Sequence, residues 1–406
     1  MFTPSAFRRL FPALGLRVGG RPAAFFDGPG GSQVPEAVIA AQAEYYRSAN
    51  ANTHGAFLTS RRADATVDGS RAAMAALLGA EGPDTISFGA NMTTLNFALA
   101  HAIGRTLEPG DEVVVTDLDH DANIAPWRML RERGAVVRAC PVHLEDCTLD
   151  MDAMDGLITG RTRHVAVGYA SNAVGAVQDV AQVVRWAHAV GATVSVDAVH
   201  FAPHHLIDVG ELGADYLLCS AYKFFGPHVG VLYSRPGRLE DLPTDRVRPQ
   251  DPRPPERFET GTLNHAALAG VSAAVETIAS QGDGPSLRER IASAFAAIYP
   301  YEHGLAAQLW QALAVLPDVT LYGPPVGRAL RAPTVSFRLR GRTPREVAAA
   351  LGEQGFFVWD GDFYALTLME RLGLDASGGV VRVGMAPYIL PDEVEDLVTA
   401  IRHLTG

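Results

Sequence analysis

Cysteine is scarce: only Cys140, Cys147 and Cys219 occur in 406 residues. The count is odd and no CxxC or zinc-ligand spacing joins them, which argues against a disulfide framework and leaves no metal site to expect. A reducing cytoplasm fits this usage. Long apolar runs are also missing, since none approaches the roughly 20 residues needed to span a bilayer. The start, MFTPSAFRRLFPAL, has two arginines and some apolar residues but no long apolar core or clear cleavage site, so it reads as an N-terminal arm, or else as a weak amphipathic targeting helix, and not as a secretory signal. Excess positive charge is absent too. A formal net charge of −11 disfavours nucleic acid and acidic membrane surfaces as partners. Against 19% charged residues stand 48% hydrophobic ones, a globular balance. The length exceeds what one core usually needs, so two domains or one elaborated domain are expected.

What is present centres on two short apolar runs. Ala192 to Val196 stops at Asp197; Tyr216 to Cys219 stops at Ser220, with Lys223 three residues later. Both runs suit strands buried on two faces of a parallel sheet. Ligands of open α/β sheets bind beyond the carboxyl ends of the strands, so carboxylate and amine can share one crevice. That pairing suits pyridoxal 5'-phosphate: the amine forms a Schiff base with the aldehyde, and the carboxylate keeps the pyridine nitrogen protonated. Singly, each residue also reads as a surface lysine or a turn aspartate; jointly, the cofactor reading is the stronger.

The stretch VSVDAVHFAPHHLIDVGELGADYLLCSAYKFFGPHVGVLY closely resembles the class V aminotransferase family, whose members include cysteine desulfurases and selenocysteine lyases. The resemblance implies a pyridoxal-phosphate-dependent fold of type I, aspartate aminotransferase-like, α/β with a mainly parallel central sheet and a smaller C-terminal α/β domain. It implies Lys223 as the cofactor lysine and Asp197 as the partner of the pyridine nitrogen. His200 falls where the family has a Gln or His touching the cofactor's phenolic oxygen, and Ser220 matches a phosphate-binding Ser. Tyr222 replaces a His common just before the lysine.

Further motifs follow in sequence order. In AFFDGPGGSQVPEAVIAA, a short strand runs through Gly28, Gly30 and Gly31 into a helix entered at Pro35 and Glu36; the glycines read either as close backbone approach to a ligand or as a tight turn. Helical periodicity runs from about Asp64 to a stop at Gly79. Just before it, Arg61 reads either as reaching an anionic substrate or the partner subunit's site, or as solvated. DTISFGANMTTLNFALAHAI is a strand, a turn and a helix, whose N-terminus suits phosphate. The family's Gly-Thr-Thr phosphate turn would fall on Asn91, Met92 and Thr93, with Thr93 the firm hydroxyl match. In DHDANIAPW, His120 sits where the family stacks an aromatic His on the pyridine ring. Asn172, after another buried strand, matches a family Asn contacting the cofactor's ring oxygen or the substrate. Strands alternating with helices between about residues 64 and 235 build βαβ units.

Beyond Tyr233 a proline- and charge-rich stretch reads as loop. RFETGTLN then resembles a family signature whose Thr, here Thr262, donates to the phosphate of the other subunit, implying a homodimer with shared sites. The expected division is an N-terminal arm over 1–30, a large cofactor-binding domain over 31–265, and a small domain over 266–406 that takes in part of the N-terminal segment. In the last part TVSFRL alternates like a strand with one open face, and Thr343, Pro344 and Glu346 spell a capping box with proline at the first helical position. Arg382 matches the family arginine that clamps the substrate α-carboxylate, a task for a planar guanidinium.

Cysteine desulfurases also need a small-domain cysteine to carry sulfur. The corresponding loop, FFVWDGDFYALTLMERLGL, has none; Tyr364 falls near that position and Trp359 where a second family arginine stands. Tyr364 reads either as an acid/base or substrate contact or as a space-filler. The expected function is a desulfurase-like lyase that cleaves a side-chain substituent of an amino acid, at a bond of C–S type, through a Schiff base at Lys223 and without a persulfide cysteine. An aminotransferase or epimerase, a desulfurase releasing sulfur directly, and a catalytically silent binding protein of the same fold stay open.

Overall fold

Seven short apolar segments become strands, six of them because most of their side chains are taken out of water on both faces; the seventh forms a sheet edge. Each fully buried Val, Leu or Ile contributes about 1.5–3 kcal/mol. The structure, a computed structural model, describes residues 2–327 and 330–405. The strands of the large sheet are β1 (Ile86–Gly89), β2 (Glu112–Thr116), β3 (Val136–Cys140), β4 (Thr162–Gly168), β5 (Thr193–Asp197), β6 (Tyr216–Ser220) and β7 (Gly230–Ser234). Their spatial order is β1-β7-β6-β5-β4-β2-β3. Only β7 runs against its neighbours; the others are parallel. Strands β2, β6 and β7 are buried at every position, whereas β3, at the edge, is half open.

A second sheet lies later in the sequence: β8 (Val319–Tyr322), β9 (Thr334–Leu339), β10 (Trp359–Gly361) and β11 (Val380–Gly384), ordered β8-β9-β11-β10 and antiparallel throughout. The alternation of TVSFRL predicts one open face; five of its six residues are buried, because on the polar side Thr334 Oγ1 meets His200 Nε2 at 2.9 Å and Ser336 Oγ donates to Ala173 O. The helix Pro344–Glu353 opens with the expected capping box, Thr343 N donating to Glu346 Oε2 at 2.8 Å.

Two local departures matter for the site. The helix expected from Asp64 begins earlier, at Leu58, and ends as expected on Gly79 in the left-handed region (φ 66°). The segment after Ala23 belongs structurally with the second sheet: Ala24–Phe25 pairs with Phe356–Phe357, and Gly384 N donates to Phe26 O at 2.9 Å. That attachment carries Pro29 and Gly30 over the carboxyl ends of the large sheet. No helix among the described residues is long and apolar enough to cross a membrane.

Candidate active site

A cavity of about 300 Å³ opens where the parallel strands end. From β5 come Asp197 and His200, from β6 Ser220, Tyr222 and Lys223, and from the segment after β4 Asn172. The loop after β2 gives His120, and the turn after β1 gives Met92 and Thr93. The second sheet and its loop close the opposite wall with Arg382 and Tyr364. Eleven sequence candidates thus meet in one space, nine of them drawn together by strand direction in the large sheet and two, Arg382 and Tyr364, brought by the second sheet.

Lys223 follows β6 in a single helical turn, and its Nζ donates to Pro29 O. Burial lowers its amine to about 7; Arg382 adds to the shift and Asp197 opposes it. A large part of this amine is therefore neutral near pH 7 and free to act as nucleophile or base. Asp197 is half-buried, its Oδ1 accepting from Val199 N at 2.9 Å. Desolvation raises it to about 6, with that N–H and Lys223 pulling the other way. Each of the two charges therefore partly offsets the cost of burying the other.

The opposite end of the cavity is built for an anion. Helix Met92–Gly104 starts here, capped by Asn91 Oδ1, which accepts from Thr94 N at 2.9 Å. Met92 N donates to Ser220 Oγ at 3.1 Å, so β6 and the helix N-terminus hold one another. Thr94 is exposed and bonds Asn91 O; Thr93 alone of the pair lines the cavity. The backbone at Asn91 comes so near β7 that a Cβ on Gly230 would lie 2.3 Å from Asn91 C.

His120 accepts from Ala122 N at 3.0 Å through Nδ1, and its ring stacks on Tyr364 with centroids 5.2 Å apart. Burial first, then Lys223 and Arg382, lower it to about 4, so the imidazole is neutral. His200 Nε2 is 2.9 Å from Thr334 Oγ1, tying the segment after β5 to the second sheet. Arg382 is 3% exposed. Its Nη1 donates to Asn172 O at 3.0 Å, its guanidinium lies 3.9 Å from the Phe363 ring centroid, and its Nε is buried without a partner. Asn172 Nδ2 donates to Phe363 O at 2.8 Å, while its Oδ1 is likewise buried and unpaired. An unpaired edge of guanidinium and an unpaired amide oxygen at one cavity are costly unless a ligand meets them.

Two candidates are not brought here. Arg61, expected to reach an anionic substrate or the partner's site, is exposed at the start of helix Leu58–Leu78 and donates to Ala56 O at 2.6 Å, away from the cavity. Thr262 lines a separate open groove with Arg71, Glu256 and Glu259. In the other direction, Asp119 and Phe363 line the cavity although no sequence pattern marks them as its residues, and so does Trp359, marked only as standing where a family arginine is usual. Asp119 is fully buried, accepting from Gly168 N and Asn123 Nδ2, each at 2.8 Å. One compositional signal points to the site unaided: Lys223 is the only lysine in the protein, every other basic side chain except histidine being arginine.

The donor set fits a phosphorylated pyridine aldehyde. It offers an amine of lowered pKa beside a carboxylate, a helix N-terminus with a serine and a threonine for a dianion, and unpaired polar atoms between them. The family model for class V aminotransferases matches residues 24–397. A cysteine desulfurase of Pectobacterium carotovorum subsp. carotovorum (strain PC1) is 33% identical, covering 97% of this chain and 96% of that protein. A probable cysteine desulfurase of Mycolicibacterium paratuberculosis is 34% identical over all of this chain and 58% of that protein. Among solved structures, the Escherichia coli cysteine desulfurase CsdA superposes with a TM-score of 0.85 at 28% identity, covering 99% of this chain and 98% of that one. The apo cysteine desulfurase of Thermococcus onnurineus NA1 gives 0.88 at 29%, over 100% and 98%.

Proposed function

Because the protein belongs to the class V aminotransferase family, we propose that this pyridoxal-phosphate-dependent enzyme is a desulfurase-like lyase that removes a side-chain substituent from an amino acid, at a bond of C–S type, without a persulfide cysteine. The supporting observation is the fate of the thiols. Cys140, Cys147 and Cys219 are all buried, and none lines the cavity. Burial pushes Cys140 up to about 12 and Cys147 up to about 11, and raises Cys219 as well. A sulfur acceptor must be an exposed thiolate, and these shifts run the opposite way.

In this reading Lys223 holds the cofactor, Asp197 the ring nitrogen, His200 the phenolic oxygen, and Ser220, Thr93 and the first turn of helix Met92–Gly104 the phosphate. Bound there, pyridoxal phosphate supplies the electron sink for negative charge on the α-carbon. The remaining work falls to side chains. Arg382 grips the substrate α-carboxylate through its unpaired edge, and Asn172 orients the substrate beside it. Lys223 Nζ takes the α-proton, which its lowered pKa permits near neutrality. As the Cβ–S bond breaks, its electron pair leaves with sulfur, which collects a proton. Water then completes the balance, giving one thiol, one pyruvate and one ammonium per amino acid. Thr262, outside its own subunit's cavity, serves the partner's phosphate in a homodimer, and the exposed Arg61 is left to face the partner's site.

Borohydride reduction of purified enzyme followed by peptide mass mapping tests the tether. The lone lysine makes the answer unambiguous: reduced cofactor is expected on Lys223. Equimolar pyruvate, ammonium and thiol from an S-substituted cysteine are expected as products. A keto acid without thiol release would replace lyase by transaminase, and a racemised substrate by epimerase. Absence of a band near about 410–430 nm and of any adduct would leave a silent binding protein.

A further inference from the structure

We infer that Trp359, Phe363 and Tyr364 form a subsite for amino acids bearing a planar or bulky apolar substituent beyond the β-carbon, and not for free cysteine. This rests on the proposed binding of an α-amino acid at Arg382 and narrows its class. The first observation is strand register. Trp359 on β10 is the direct cross-strand partner of Arg382 on β11. Opposed residues project from the same face with Cβ atoms about 4.5–5.5 Å apart, so whatever Arg382 holds lies against the indole. The second is the space made for that indole. A Cβ on Gly30 would fall 2.3 Å from Trp359 Nε1, so the glycine turn accommodates the ring beside Pro29, whose carbonyl takes the Lys223 amine.

The third observation is the loop that follows. Phe363 and Tyr364 both adopt left-handed backbone, φ 57° and 58°, unfavourable for aromatic residues. Three hydrogen bonds keep them there: Asn172 Nδ2 to Phe363 O, Asp121 N to Tyr364 O at 2.7 Å, and Tyr364 N to Asp362 Oδ1 at 2.8 Å. Two of those three partners belong to the cavity wall or adjoin His120. The strain is thus held by the site itself, and it places Phe363 on the Arg382 guanidinium and Tyr364 on the His120 ring. Trp359 and Tyr364 remain 48% and 68% exposed, two large rings at the mouth with free faces. Such rings repay a ligand that covers them. Cysteine ends at Sγ and leaves most of this surface uncovered; an S-aryl or S-benzyl substituent extends across it.

The test titrates the cofactor-loaded enzyme with S-benzyl-L-cysteine and with L-cysteine, reading Kd from the cofactor absorbance and, independently, from quenching of protein fluorescence. S-Benzyl-L-cysteine is expected to bind at least tenfold tighter. In W359A and in Y364A that ratio should drop towards one; in W359F most of it should return, because a ring is restored. Equal or tighter binding of L-cysteine, or a ratio untouched by both alanine variants, overturns the subsite. Spectral response to every amino acid without preference would overturn the subsite while sparing the proposed function; no response to any amino acid would overturn both.

Discussion

His120 and His164 lie one strand apart and share an electrostatic fate. Burial lowers His120 to about 4 and His164 to about 3, so both rings are neutral at pH 7. Their surroundings differ. His164 sits inside β4 with Nδ1 2.8 Å from Thr193 Oγ1, Nε2 2.8 Å from Ser195 Oγ, and its ring stacked on Trp127 at 4.1 Å. Every polar atom is spent. His120, beyond the end of β2, spends Nδ1 on Ala122 N and lines the cavity with the rest of its ring. A perturbed pKa therefore marks burial in both, and chemistry only where a ring nitrogen is left over and a cavity meets it. His204 makes the same point, lowered to about 3 and tied at 3.0 Å to Glu302, itself raised by burial, and it does not line the cavity.

The largest expected effect lies on the cavity side. Asp197→Asn removes the charge that holds a ring nitrogen protonated while keeping shape and the Val199 contact. Turnover should fall by about 10²–10³-fold, the scale of losing one preorganised electrostatic contact. The apo protein should meanwhile melt no lower at pH 8, because a carboxyl raised to about 6 is being ionised in a dry site at a cost. Retained turnover would remove Asp197 from its role and leave it on the same footing as the structural groups.

Next in size is the histidine pair itself. His120→Asn should lower turnover by about 10²-fold, the lower range for a lost proton-handling or positioning group, with stability nearly unchanged. His164→Asn should do the reverse. It leaves two buried hydroxyls poorly matched and a gap beside Trp127, costing about 2–4 kcal/mol in urea unfolding, while turnover per folded molecule stays within about threefold. Turnover that collapses in well-folded His164→Asn would break the contrast between a spent and an available ring.

Much of this site is legible in the sequence because its residues stand at the ends of apolar runs, where strand direction decides what meets. Lys223, Asp197, Ser220 and His120 need only that rule and the family resemblance. Trp359 shows in the sequence merely as standing where an arginine is usual; that it flanks Arg382 depends on the register between β10 and β11, which no local pattern specifies. Tyr364 stays undecided between its two readings because its left-handed backbone is imposed by distant hydrogen bonds. The helix start before Asp64 escapes the periodicity because its first turn, Leu58 to Arg61, is exposed apart from Ser60 and half-buried Thr59, and so shows no apolar stripe. Arg61 goes with it: its side chain bends back to Ala56 O, a choice set by that turn.

The smallest effect, and the sharpest for the comparison, is in the pH dependence of stability. His164 titrates near 6.5 when unfolded and near 3 when folded, so the unfolded chain binds the extra proton between those values. Its contribution is whole above pH 6.5 and is lost as pH falls towards 3, at about 1.4 kcal/mol per pH unit. His204 and His205 act with the same sign. Asp119 and Glu259, both raised to about 7, act with the opposite one, since their folded forms take up protons first as pH falls and so gain stability on acidification. The absolute slope therefore mixes signs, and only a difference isolates one ring. Between pH 6 and 4, urea unfolding of wild type should lose stability faster than His164→Asn by about that single-group slope, giving up on acidification part of the advantage it holds at pH 7. Parallel curves would mean that the folded His164 ring takes up its proton as readily as the unfolded one, and burial would then no longer explain why it is silent while His120 is not.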